Sequence, residues 1–183
     1  RIDYLCDPHK PSIDNCLAMI EKHSTPKNKP IPTILEHEDD LLAFVDSIDL
    51  LVIATPNYLH SQALLRWGQH DLTILLEKPA AVSQEQHDSL LEAMPGLKAR
   101  VWVAMEYRFI PAIHKLIQLL STIGDLKMCT IRENRFPFLH KIDAWNRDPA
   151  KTGDTLVEKW YVFLCSIFFA LSHHFCHSCH FFD

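Results

Sequence analysis

The sequence predicts an α/β protein built on a Rossmann-like, doubly wound parallel sheet, and three observations carry that prediction. Short apolar runs recur up to Met105: Ile2–Cys6, Leu50–Thr55, Thr73–Leu76 and Val101–Met105. They show little polar alternation, which suits parallel strands covered on both faces. Amphipathic, helix-like segments separate them, so strand and helix alternate along the chain. Polar residues gather directly after the strands, as Asp7, Thr55-Pro56-Asn57, Glu77-Lys78-Pro79 and Glu106-Tyr107-Arg108. Doubly wound sheets bind ligands at that end of their strands.

The elements follow in order. Ile2–Cys6 is a strand closed by Asp7-Pro8, and Ser12–His23 carries apolar residues at helical spacing. Residues 25–32 hold three Pro, two Lys and an Asn and predict a loop. Asp39–Ser47 predicts a second helix, and the strand from Leu50 stops at Pro56. A helix over His60–His70 leads into the strand Thr73–Leu76. Ser83-Gln84-Glu85-Gln86 is an S-x-x-Q capping box, so a helix opens there. It runs to about Met94 and ends at Pro95-Gly96; the strand Val101–Met105 follows. Beyond Arg108 the texture changes. A helix over Pro111–Leu120, a turn at Gly124-Asp125, a strand over Leu126–Arg132 and aromatic loops at 135–138 and 144–148 predict the start of an α+β lobe. Two domains result, 1–108 and 109–183.

Composition narrows the class. A formal net charge of −5 argues against a nucleic-acid partner. Six Cys at irregular spacings do not make a disulfide framework, and no secretory signal pattern opens the chain. A cytoplasmic protein is the expectation. Only four Gly occur, at 68, 96, 124 and 153, so no phosphate-cradling glycine loop lies within these residues. The chain opens on Arg1 rather than Met, and we expect a Rossmann domain lacking its first strand and glycine loop. That loop and the helix behind it hold a pyrophosphate, so little or no dinucleotide affinity is expected of the chain as written.

The stretches ATPNYLH (54–60), EKP (77–79) and YRF (107–109) resemble the Gfo/Idh/MocA family of oxidoreductases, from about Ile2 to Lys159. TGDTLVEK (152–159) is similar to that family's catalytic stretch, with Asp154 where a second Gly is common. The resemblance implies a Rossmann domain followed by an open-sheet lobe. The activity implied is hydride transfer between NAD or NADP and a sugar, polyol or related small molecule, in a homo-oligomer with no membrane or nucleic-acid partner. It gives Lys78 a role in substrate binding and proton transfer, and places Glu77 near the nicotinamide ribose.

The residues themselves support several of these roles and leave plainer ones open. An ammonium at a strand end beside Glu77 can be tuned for proton transfer, though a surface Lys in a βα turn would look the same. Asp7 would accept hydrogen bonds from the adenosine ribose and repel a 2′-phosphate, which favours NAD; a turn or capping Asp is the alternative, and Lys10 would soften the preference. Thr55, Pro56 and Asn57 are expected along the cofactor. His60 is expected beside them, and capping of the next helix would account for it equally well. Tyr107, Lys141 and Asn146, with Arg108 and Trp145 near them, are candidate substrate or nicotinamide neighbours; loop packing accounts for each as readily. A non-catalytic Rossmann-like nucleotide-binding or regulatory protein is the alternative from another class.

The C-terminal tail gathers His173, His174, Cys176, His177, Cys179 and His180. A zinc module would need two ligand couples across a spacer, which this spacing lacks, so no metal is expected. The apolar run 160–171 falls short of the ~20 residues that span a bilayer. Trp160-Tyr161-Val162 matches a translated splice donor and Ser178 a translated acceptor, so 160–178 is expected to be intron-derived, standing in place of one Cys. With that segment removed, Glu158 and His180 become i and i+4 on one helix face. The resemblance implies that this pair works with Lys78 as the catalytic set.

Overall fold

The computed structural model describes residues 1–23, 31–120, 122, 128, 141–154 and 157. The chain divides into two compact units, Arg1–Ile48 and Asp49–Asp183.

In the first unit, β1 (Tyr4–Cys6) pairs in parallel with β2 (Thr33–Leu35), Leu5 opposite Ile34. Helix α1 (Lys10–His23) lies between them in sequence and buries Ile13. It starts where Asp7 accepts a hydrogen bond from the His9 amide at 2.7 Å and closes on Lys22 and His23, cations that suit a helix C-terminus. Tyr4 stacks on Phe44 with ring centroids 4.8 Å apart. Two elements differ from expectation. The strand β2 emerges just after the proline-rich stretch, too short to announce itself by pattern. The segment Glu38–Ser47 winds as a 3-10 helix; over ten residues, apolar positions at 41, 42, 44 and 45 do not separate the two windings.

The second unit holds a three-stranded parallel sheet in the order β3 (Leu50–Ile53), β4 (Thr73–Leu76), β5 (Arg100–Val103). Helices α2 (His60–Trp67) and α3 (Gln84–Ala93) connect the strands and pack on each other. Cross-strand partners share a face, so the register sorts the side chains into two sets. Ile53, Ile74, Leu76 and Val101 form the buried set, Ile74 and Leu76 at 0 % exposure. Burying side chains of this size stabilises by about 1.5–3 kcal/mol each. Leu64 and Trp67 of α2 and Leu90 of α3 complete this core. The opposite face is open: Leu50, Val52 and Trp102 are 50, 53 and 64 % exposed. The described strands make a two-stranded parallel sheet in the first unit and a three-stranded one in the second.

Helix α3 opens as its sequence predicts, with Ser83 Oγ accepting from the Gln86 amide at 3.2 Å. The return bond of the box goes one residue further back, from the Val82 amide to Gln86 Oε1 at 2.9 Å. Helix α4 (Pro111–Leu120) keeps its expected bounds. Of the stretch expected as loop at 144–148, residues 144–147 lie in a 3-10 segment, Ile142–Arg147, and Asp148 is the N-cap of the short helix α5 (Pro149–Thr152). Of the expected strand 126–132 the described residues include 128 alone, and the segment 160–178 lies outside them. The expected boundary near 108 falls inside the second unit.

Candidate functional site

Because β3, β4 and β5 run parallel, their carboxyl ends open on one edge of the sheet, and the polar loops singled out in the sequence follow each of them. The first loop, after Ile53, turns at Pro56 into a 3-10 turn, Asn57–Leu59, and then α2. The second, Glu77-Lys78-Pro79, is tied to the first strand by the Glu77 amide donating to the Ile53 carbonyl at 2.9 Å. Its Lys78–Pro79 peptide is cis, and Pro79 is fully buried. The third is the 3-10 turn Glu106–Phe109, which holds Tyr107.

One ring links the first two loops. His60 is 1 % exposed. Its Nδ1 lies 2.7 Å from the Pro79 carbonyl oxygen and its Nε2 lies 2.7 Å from that of Thr55. The side chain does not cap α2, whose N-cap residue is Leu59. Beside it, Asn57 is 6 % exposed, and its Nδ2 has no hydrogen-bond partner. A buried amide donor left unpaired costs about 1–3 kcal/mol, so among the described residues Asn57 is an unmet donor at this edge. Gln86 supports the same corner from behind, its Nε2 donating to the Tyr58 carbonyl at 3.2 Å.

The segment 141–152 packs against the turn at 57–59. Lys141 donates its amide to Asn146 Oδ1 at 3.1 Å, which closes the loop. The Lys141 ammonium sits 4.7 Å from the Trp145 ring centroid, and that of Lys151 lies 5.5 Å from the Tyr58 ring. Tyr58 and Trp145 meet edge to face at 6.5 Å. Two cations over two aromatic rings are held by cation–π attraction. Asp148 starts α5 by accepting from the Ala150 amide at 3.0 Å. Gly153 ends it in the left-handed conformation, φ +75, where a Cβ would meet Val157 at 2.8 Å and the Val82 carbonyl at 2.9 Å.

The structure thus brings Thr55, Pro56, Asn57, His60, Glu77 and Lys78 to one sheet edge, with Trp145 and Lys151 against Tyr58 and Lys141 and Asn146 in the loop that carries Trp145. Tyr58 and Lys151 are participants that sequence reasoning passed over; the place of Tyr58 between Asn57 and His60 was the available signal. Asp7 belongs to the first unit, where its exposed carboxylate holds the turn into α1. Next to it, the Cys6 thiol is pushed up from its ordinary range, first by burial and then by the carboxylates of Glu38, Asp40 and Asp7. Glu158 and His180 lie outside the described residues. Among the described residues no three His, Cys, Asp or Glu side chains gather as a metal site, and no helix is long and apolar enough to cross a membrane.

Comparison with known proteins places this edge in context. The family described as an oxidoreductase family with an NAD-binding Rossmann fold matches residues 2–105. The glucose-6-phosphate 3-dehydrogenase of Bacillus subtilis is 30% identical over 123 residues, covering 66% of this chain and 34% of that protein. Among solved structures, an oxidoreductase from Thermotoga maritima superposes with a TM-score of 0.69 at 16% identity, over 93% of this chain and 51% of that one. The WlbA dehydrogenase from Thermus thermophilus, solved with NAD and UDP-GlcNAcA, gives a TM-score of 0.59 at 17% identity, over 92% and 54%. The chain spans about a third of the length of the curated relatives it matches.

Proposed function

The chain belongs to the Gfo/Idh/MocA family of NAD(P)-dependent oxidoreductases acting on sugar-related substrates, and from that premise we propose that it oxidises or reduces one hydroxyl or keto carbon of a sugar or polyol. The observation that carries the proposal is the convergence of the 55–57 and 77–79 loops on one sheet edge, with the unpartnered Asn57 amide in the first of them. Ligands of doubly wound sheets lie at such an edge, and a buried donor without a protein partner fits a cofactor rich in acceptor oxygens. The bound nicotinamide supplies or takes the hydride; the protein's own groups bind, orient and move the accompanying proton.

In this reading Thr55, Pro56 and Asn57 run along the dinucleotide, and Glu77 stands near the nicotinamide ribose. Lys78 moves the proton at the reacting hydroxyl through its Nζ, with Glu158 and His180 completing the catalytic set. Asp7 meets the adenosine ribose and favours NAD over NADP. Tyr107, Lys141 and Asn146 bind substrate. The relatives support a sugar-like ligand, since one is named for glucose 6-phosphate and another was solved with a UDP-linked sugar acid.

The test is a chimera in which residues 2–105 replace the matching part of the Bacillus subtilis relative. We expect hydride transfer to persist, measured by nicotinamide absorbance, and Lys78→Met within it to lower kcat by about 10²–10⁴-fold, the range for loss of a general acid–base group. A chimera that binds NAD yet shows no turnover would favour the non-catalytic nucleotide-binding reading.

A further inference from the structure

Of the twelve histidines in the chain, His60 has its ring closed in between two backbone carbonyls, 2.7 Å from each. A neutral imidazole offers one N–H and one lone pair. Only one of these contacts could then be a hydrogen bond; the other would set a nitrogen lone pair against carbonyl lone pairs. Both contacts are hydrogen bonds only if both nitrogens donate, and only the imidazolium does that. Burying the cation at 1 % exposure carries a desolvation cost. Two charge-assisted bonds, each roughly twice as strong as a neutral one, oppose that cost.

The two carbonyls are also the ones that need such a donor. Thr55 and Pro79 lie past the ends of β3 and β4, which stop at Ile53 and Leu76, so the sheet ladder supplies them no amide. One ring therefore does for the loops what the ladder does for the strands. Its two acceptors flank the residues that matter: Thr55 is followed by Pro56 and Asn57, and Pro79 is preceded by Lys78.

We propose that His60 is a positioning residue, a doubly protonated ring that clamps the 55–57 loop to the Lys78–Pro79 turn and so fixes where the Lys78 side chain begins. The proposal rests on the reading of Lys78 given above, and its test uses neither cofactor nor turnover, so the two can fail separately.

The clamp is read on the unaltered full chain by nitrogen NMR of labelled histidine rings, with the His60 signals assigned by their loss in His60→Asn. Both His60 nitrogens are expected to carry protons, exchanging slowly with water; a His60 ring with one bare nitrogen overturns the clamp. Positioning is read on Lys78 after reductive methylation with a carbon-13 label, its signal assigned by loss in Lys78→Arg. His60→Asn is expected to shift the Lys78 signal and leave that of Lys98 in place. His60→Gln, whose N–H donors sit on one nitrogen instead of on two sides of a ring, is expected to shift it as well. An unmoved Lys78 signal in a folded variant overturns the positioning role.

Discussion

Asn57 shows how a single buried side chain separates stability from function. A truncation at a well-packed buried position normally destabilises, but this one removes an amide whose Nδ2 is already without a partner. Asn57→Ala is therefore expected to leave the unfolding free energy from urea denaturation within about 0.5 kcal/mol of the parent's or to raise it, and to weaken NAD binding in the chimera by tenfold or more. A clear loss of stability with unchanged binding would remove Asn57 from the site. At this scale the sequence was legible where chemistry is local. The residues after each strand could be read from the run of apolar positions that precedes them. The His60 ring could not, because one of its partners is nineteen positions away at Pro79, and helix capping, the local explanation, competes for the same residue type. Lys141 and Asn146 were readable as candidates, but the packing of their neighbour Trp145 on Tyr58 is a tertiary fact that no spacing announces.

Among the elements, α3 was the most legible and is the most directly testable. Ser83 accepts from the Gln86 amide, while the Gln86 side chain accepts from Val82 and donates to Tyr58. The sequence named the cap; it did not say that the same glutamine reaches across to the turn behind Asn57. Ser83→Ala is expected to cost about 1 kcal/mol, the usual loss for an N-cap. Gln86→Glu should cost more, because a carboxylate keeps the acceptor for Val82 but sets oxygen against the Tyr58 carbonyl. Chemical denaturation of the two variants ranks them, and a Gln86→Glu variant as stable as the parent would mean that the link to Tyr58 contributes nothing. The strand β2 was illegible for a different reason. Three residues are too few for a period to show, and their pairing with β1 is set by contacts that local pattern does not carry.

At the scale of the whole molecule, the fold class was readable because parallel strands declare themselves as unbroken apolar runs. That same signal predicts two covered faces, and here the three-stranded sheet has one. Ile74 on the buried side and Val52 on the open side lie on adjacent strands, yet their environments differ completely. Ile74→Ala is expected to destabilise by about 2–5 kcal/mol. Val52→Lys should stay within about 0.5 kcal/mol, as surface substitutions do. Thermal or urea unfolding decides it, and comparable losses would mean that the second face is covered in solution.

The glycine that closes α5 bears on how this sequence can change over generations. Any base change in a glycine codon that alters the residue and keeps the chain open introduces a Cβ. At Gly153 every Cβ meets Val157 and the Val82 carbonyl in a backbone conformation that side chains rarely adopt. At Gly96 the same atom meets nothing within 4 Å. Random mutation therefore finds one of these glycines nearly closed to substitution and the other nearly free. Drift is channelled away from the segment that packs behind Tyr58 and toward the turn between α3 and β5.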